Sequence, residues 1–256
     1  MNQQKKVAIV TGAGQGIGLE IAMQLAKSGV NILLNDVDEH LASYAIREIR
    51  AKTDASCLAL AGDCSDVELI TKMVAMAVAE WGSVDIVVAN AGITLFGDFL
   101  TYTPEAFQRV MQVNLAGTFF LAQAAAKQMI KQRTGGALLF MSSVTGHQAH
   151  KHLAAYSMSK AALEMLAKNL VVELSEYHIR VNCIAPGATL TERTMGDTSY
   201  EKIWSKITPL GRPASVEDIA QAAVFLVSEQ AKHITGQSLI IDGGWTSVSP
   251  SPYEER

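Results

Sequence analysis

The chain has 256 residues, with 21 basic and 25 acidic side chains and a net charge of −4. Hydrophobic residues make up 49% and charged ones 18%, enough to bury a core and too apolar for a disordered chain. The slight acidic excess excludes a surface built for nucleic-acid backbones.

Cys57, Cys64 and Cys183 are scattered and odd in number, which points to reduced thiols in a cytoplasmic protein rather than a disulfide framework or zinc site. Val7–Val10 is too short for a signal-peptide core, and no stretch has the ~18 uninterrupted apolar residues of a membrane helix.

In chain order, β-branched runs at Val7–Val10, Val30–Leu34, Cys57–Ala61, Val84–Val88, Ala137–Met141, Ile179–Ile184 and Ser238–Ile241 predict seven strands. Helical periodicity separates most of them, at Ile17–Ser28, His40–Lys52, Val67–Glu80, Glu105–Lys131 and Ala155–Tyr177. Near-continuous apolar strands alternating with helices predict an α/β fold, a doubly wound parallel sheet of Rossmann type with helices on both faces. No linker or repeat divides the chain, so residues 1–256 are expected to form a single domain. Its one irregular stretch, about 187–213, carries an amphipathic piece at Tyr200–Ile207 and reads as a lid. Residues 246–256 read as a polar tail.

The first strand runs into Thr11-Gly12-Ala13-Gly14-Gln15-Gly16-Ile17-Gly18 and then a helix. Glycines let a phosphate approach the backbone, and a helix N-terminus favours its charge. The pattern is TGxxxGxG, neither the common GxGxxG nor a Walker A loop. The second strand ends at Asp36, where a carboxylate can accept from both hydroxyls of an adenosine ribose. Its plainer role would be a turn residue, a task better suited to Asp38 as N-cap of the next helix. No Lys or Arg lies between Asn31 and His40 to pair a 2′-phosphate, which favours NAD over NADP.

Tyr156 and Lys160 are four apart on one helix face, shortly after Ser142-Ser143 at the end of the fifth strand. A phenol ordinarily titrates near ~10, so acid–base work near neutrality needs a stabilised phenolate, which a neighbouring ammonium supplies. The strand ends that carry these groups share the sheet edge of the glycine turn.

From Val7 to about Gly244 the chain resembles the short-chain dehydrogenase/reductase family. The resemblance rests on Thr11-Gly12-x3-Gly16-Ile17-Gly18, Asp63, Asn90-Ala91-Gly92, Asn114, Ser143, Tyr156-x3-Lys160, Pro186-Gly187-x3-Thr191 and Asp242-Gly243-Gly244. It implies that Tyr156 transfers the alcohol proton and that Ser143 holds the substrate oxygen. Lys160 would support the tyrosine and bind the nicotinamide ribose, and Asn114 would anchor a proton-relaying water. Cofactor contacts are implied for Gly12, Gln15, Gly16, Ile17, Gly18, Asp63, Cys64, Asn90, Gly92, Pro186, Gly187, Thr189 and Thr191, beside Asp36, Tyr156 and Lys160. Two positions depart from the family pattern. Ala89 stands where an asparagine is usual, and Thr189 where an aliphatic residue is usual. The resemblance also implies a homotetramer, with the helices at Glu105–Lys131 and Ala155–Tyr177 pairing across one interface and the last strand building another.

Thr94, Thr145, His147, His150, Leu153, Met195 and Trp204 are the candidate substrate residues. The turn's three histidines, His147, His150 and His152, read as a solvated pocket rim rather than a metal site, since no carboxylate clusters with them. A polar rim favours a sugar or polyol, although Phe96, Leu153, Met195 and Trp204 could receive an acyl chain or a steroid. The expected activity is NAD-dependent interconversion of a secondary alcohol and a ketone. The alternatives are a 3-oxoacyl-thioester reductase, a hydroxysteroid dehydrogenase and a non-enzymatic NAD-binding regulator. An extended epimerase-type relative is disfavoured by the TGxxxGxG spacing and the short C-terminal region.

Overall fold

The computed structural model describes residues 5–249, so residues 250–256 of the expected polar tail lie outside the described residues. Seven strands form one parallel sheet in the order β3-β2-β1-β4-β5-β6-β7. They are β1 Val7–Thr11, β2 Asn31–Asp36, β3 Cys57–Ala61, β4 Ile86–Ala89, β5 Gly136–Met141, β6 Ile179–Pro186 and β7 Ser238–Ile241. All seven predicted strands are present, two of them with the expected ends and the others shifted by at most two residues.

Alternation along each strand supplies two cores. Ala8 and Val10 of β1, with Ile32, Leu34 and Val88, pack beneath α1 (Gly16–Lys27), α2 (Glu39–Lys52) and α8 (Val216–Val227). Val7 and Ile9, with Leu33, Val87 and Phe140, pack on the opposite face beneath α3 (Val67–Trp81), α5 (Gly117–Gln132) and α6 (Ala154–Leu174). Burial on both faces is why these strands read as continuous apolar runs. A buried polar residue breaks the pattern in β2. Asn35 donates to the carbonyls of Leu60 (2.9 Å) and Gly62 (3.0 Å), fixing the turn that leads to Asp63.

Two helical expectations change. The stretch read as one helix over Glu105–Lys131 is α4 (Pro104–Met111), a π-helical turn (Gln112–Ala116) and α5. The hydrophobic period continues across the interruption, so periodicity alone could not reveal the wider turn. Helix α8 was not among the predicted helices, although its start is signalled by a capping box. Asp218 N–H donates to Ser215 Oγ (3.3 Å), and Ser215 N–H donates to Asp218 Oδ2 (2.8 Å). The amphipathic piece read in the lid is helix α7 (Tyr200–Ile207).

Arg212 grips the same Asp218 with two guanidinium bonds, 2.6 and 3.1 Å. That grip, with the Ser215 amide, holds the Asp218 carboxyl down to about 2. A carboxyl depressed by folding stabilises the native state above its ordinary value near 3.8 and loses that contribution as pH falls toward 2. Because Asp218 is partly exposed, the effect is modest. Acid titration of Asp218→Asn against the parent chain should show a stability difference that is constant at neutral pH and shrinks between about pH 4 and 2. A difference that persists undiminished at pH 2 would contradict this account.

Candidate active site

Close packing shapes the glycine turn. A Cβ on Gly18 would lie 2.3 Å from the Gly12 carbonyl oxygen and 2.5 Å from Asn90 Nδ2, so α1 can seat on the turn only with glycine there. Asn90, at the end of β4, donates from Nδ2 to the carbonyls of Thr11 and Gly12, both at 2.9 Å. The Ala91 amide donates to Thr11 Oγ1 at 3.2 Å. The turn is thus pinned to the neighbouring strand. Gln15, the N-cap of α1, makes no side-chain cap bond, so the helix presents amide donors and its positive dipole end to the cleft.

Asp36 closes one end. Its Oδ2 accepts from the Gly14 amide (2.9 Å) and its Oδ1 from the Asp38 amide (3.1 Å). A Cβ on Gly14 would fall 2.8 Å from that Oδ2, so the residue type at 14 keeps the carboxylate beside the turn. Asp38 caps α2 through the amides of His40 (2.8 Å) and Leu41 (3.1 Å), the role the sequence assigned to it. A shared cleft is lined by Gly12, Gln15, Gly16, Ile17, Gly18, Asp36, Asn90, Gly92, Thr94, Tyr156, Lys160 and Thr191. These fit a dinucleotide: amides and glycines for its diphosphate, a carboxylate and no nearby cationic side chain in residues 31–40 for its ribose. Glu192 and Arg193 also line the cleft and were missed, because nothing in a loop sequence tells which way it folds over a site.

Asp63 and Cys64 sit differently. Burial acts to raise the Asp63 carboxyl, but bonds from the Ser65 amide (2.9 Å) and hydroxyl (2.8 Å) and from Arg109 (2.8 Å) outweigh it and hold it below the ordinary range. Arg109, on α4, was not foreseen as its partner. Cys64 lines a separate small void behind β1 and β4, where burial pushes its thiol up to about 11.

The acid–base candidates lie at the ends of β4 and β5. The π turn centres on Asn114, which is fully buried. Its Oδ1 accepts from the Ile93 amide (2.8 Å), and its Nδ2 donates to the Ile93 carbonyl (3.0 Å) and to Ser159 Oγ (3.1 Å). Ser159 in turn donates to the Tyr156 carbonyl at 2.6 Å. Ser159 escaped the sequence reading, although it stands directly before Lys160. Lys160, 3% exposed, donates from Nζ to the Met141 carbonyl (2.7 Å) and lies 5.5 Å from the centre of the Tyr156 ring. Ser143 caps the short turn Val144–Gly146, its Oγ accepting from the Thr145 amide (3.2 Å). That leaves the Ser143 hydroxyl hydrogen to donate elsewhere.

Around this centre, Pro186 ends β6, and Gly187 packs against Asp242, to which an added Cβ would come within 2.7 Å. Thr189 is buried and donates to the Gly187 carbonyl at 3.1 Å. Ala89, the departure in β4, lies buried within that strand. His150 rests against Trp245 (5.1 Å between ring centres), Trp245 meets Trp204 edge to face (5.2 Å), and Trp204 contacts Tyr200 (6.0 Å). Helix α7, the turn before α6 and the chain after β7 therefore meet in one aromatic cluster. Trp245 was missed because its position beside the other two depends on the left-handed Gly243-Gly244 turn, which Asp242 caps at the Gly244 and Thr246 amides. Leu153 is buried, Met195 is 73% exposed, and Thr145 Oγ1 is buried with no hydrogen-bond partner among the described residues. His147 points elsewhere, to Glu164 on α6 (2.8 Å). Among the described residues no group of three His, Cys, Asp or Glu is arranged to hold a metal.

The family model described as enoyl-(acyl carrier protein) reductase matches residues 12–246. The chain is 34% identical over 245 residues to L-rhamnose-1-dehydrogenase of Scheffersomyces stipitis, covering 93% of this chain and 95% of that protein. It is 36% identical over 240 residues to 3-oxoacyl-[acyl-carrier-protein] reductase FabG of Chlamydia muridarum, covering 93% and 96%. A solved short-chain type dehydrogenase/reductase from Mycobacterium marinum superposes with a TM-score of 0.90 at 32% identity, covering 95% of this chain and 97% of that one.

Asn90→Ala removes both bonds that pin the glycine turn and leaves two carbonyls to find other donors. Urea unfolding should show a loss of about 1–3 kcal/mol. Unchanged stability would show that the turn holds itself.

Proposed function

The chain belongs to the short-chain dehydrogenase/reductase family, whose dehydrogenases use NAD(P), and on that premise we propose an NAD-dependent dehydrogenase acting on a CH–OH group of a sugar or polyol. The observation that carries the reading is the chain Tyr156–Ser159–Asn114 beside buried Lys160, opening on the cleft of the glycine turn. In the forward direction the alcohol carbon loses a hydride and its oxygen loses a proton, leaving a carbonyl. When bound in the cleft, NAD+ supplies the hydride acceptor.

The protein's own groups handle the oxygen and the proton. Ser143, its Oγ already accepting from Thr145, donates its hydroxyl to the substrate oxygen. Tyr156 takes the alcohol proton, and the Lys160 ammonium offsets the negative charge that builds nearby. Asn114 holds the β4 end and, through Ser159, the first turn of α6 in fixed relation.

Preference for NAD is supported by Asp36, which repels a 2′-phosphate, and by the absence of Lys or Arg in residues 31–40. A sugar is supported by the relatives named L-rhamnose dehydrogenases, by Thr94 in the cleft and by His150 resting on the Trp204–Trp245 cluster. Aromatic faces suit the C–H side of a sugar ring, and polar groups suit its hydroxyls. The relative named 3-oxoacyl reductase keeps a second reading, acyl-thioester reduction, in contention.

The domain reading is that one sheet binds the cofactor while the segment at about 187–213 acts as a lid. An apolar groove with Phe107, Phe119, Phe120, Met165 and Leu166 on α4, α5 and α6 supports pairing between copies, in line with the tetramer that the sequence resemblance implies. No helix of the described residues is long and apolar enough to cross a membrane. Three unpaired cysteines are consistent with the cytoplasm.

One panel tests the reading. L-rhamnose and related aldoses with NAD+ should produce NADH, and Tyr156→Phe should lose about 10²–10⁴-fold in kcat while keeping its Kd for NADH. NADPH should bind at least about tenfold more weakly than NADH, since one lost charge contact is worth ~1.4 kcal/mol or more. Activity confined to acyl thioesters with NADPH would replace this function with the second reading. Full turnover by a folded Phe variant would remove Tyr156 from the chemistry.

A further inference from the structure

Glu164 lies on α6, one helical turn beyond Lys160, outside the cleft and outside every role assigned above. Its side chain is only 13% exposed, so its carboxylate must find donors within the protein. One oxygen, Oε1, meets two polar groups. Ser142 Oγ donates to it at 2.6 Å and His147 Nε2 lies 2.8 Å from it. The contact with His147 is an ion pair when the imidazole is protonated and a polar contact otherwise. Ser238 on β7 borders the same nitrogen at 3.5 Å.

Ser142 and His147 are the two ends of the segment that carries Ser143 and Thr145. Between them, Gly146 lies so close to α6 that a Cβ there would meet the Ala161 nitrogen at 3.1 Å and Glu164 Oε1 at 3.2 Å. The strand end just before the segment is tied to the same helix, because Lys160 Nζ donates to the Met141 carbonyl and Ser142 Oγ lies 3.1 Å from the Lys160 carbonyl. A single carboxylate oxygen therefore fastens both ends of the Ser143 loop to the helix that bears Tyr156 and Lys160.

We propose that Glu164, through Ser142 and His147, is a positioning residue that sets Ser143 against Tyr156 for the reaction. The inference rests on the proposed roles of Ser143 and Tyr156. Misplacing a reacting group by an ångström costs up to about 10²-fold in rate, which is the scale on which such a clamp acts.

The test is a double-mutant cycle read by kcat, KM and the Kd for NADH, with L-rhamnose and NAD+ or with whichever alcohol the sugar panel returns. Glu164→Ala should lower kcat about tenfold or more and leave the NADH Kd unchanged. Glu164→Gln, whose amide oxygen still accepts from Ser142 and keeps a polar contact with His147, should recover to within about threefold of the parent. In a Ser143→Ala background, Glu164→Ala should cost nothing further, because the group it positions is gone. Should Glu164→Ala fail to fold, His147→Ala in both backgrounds carries the same cycle. Parental kcat in Glu164→Ala, or an equal loss with and without Ser143, would overturn the proposal. Full turnover by Tyr156→Phe would instead overturn the reading of the active site, and the clamp with it.

Discussion

Parallel pairing of β1 with β4 is the constraint on which the site depends. The two strands are neighbours in register, Val10 opposite Val88, yet the chain leaves them toward opposite faces of the sheet. From β1 it enters α1, which packs on one core, and from β4 it runs to the helices over the other. Loops that diverge from adjacent strand ends must leave a crevice between them. The Asn90 bonds to Thr11 and Gly12 bridge the base of that crevice and set the height of the glycine turn above the sheet.

Everything chemical is then hung from helices that cross this edge. Asn114 sits in a π turn, a wider coil that often marks a functional position. Its amide reaches both the β4 loop and Ser159 of α6, so two helices and a strand end share one set of hydrogen bonds. Lys160 is buried with a carbonyl as its polar partner. An ammonium so placed stabilises negative charge nearby, which is the electrostatic work a tyrosine acid–base centre requires. The turn before α6, α7 and the chain after β7 are elements that the sheet leaves free, and they are joined through His150, Trp204 and Trp245.

Much of this was legible in the residues. The seven apolar runs became the seven strands; burial on both faces demands that pattern in the inner strands, while the edge strands β3 and β7 are only partly buried. Asp38 capped its helix as its residue type and position required. Where local pattern was silent, the reading fell short. Periodicity ran through Glu105–Lys131 without marking the π turn, because the buried positions Val110, Asn114, Thr118, Leu121 and Ala125 keep a three-to-four spacing across it. The Ser215–Asp218 box signalled α8 but was not read. The turn's histidines looked alike in sequence, yet His147 turns to Glu164 while His150 turns to Trp245. Asp63 was named through the family resemblance as a cofactor contact but not as the partner of Arg109, which lies 46 residues away.

By itself, the sequence determined the α/β class, the glycine turn, the carboxylate at the end of β2, and the Tyr156–Lys160 pair on one helix face. These follow from spacing and residue type, which act locally. Only the tertiary structure decided which groups meet: Asn90 with the glycine turn, Asn114 with Ser159, Glu164 with both ends of the Ser143 loop, and Trp245 with Trp204 of α7. Such contacts join residues far apart in the chain, and their partners are fixed by how strands pair and helices pack, not by the residues beside them.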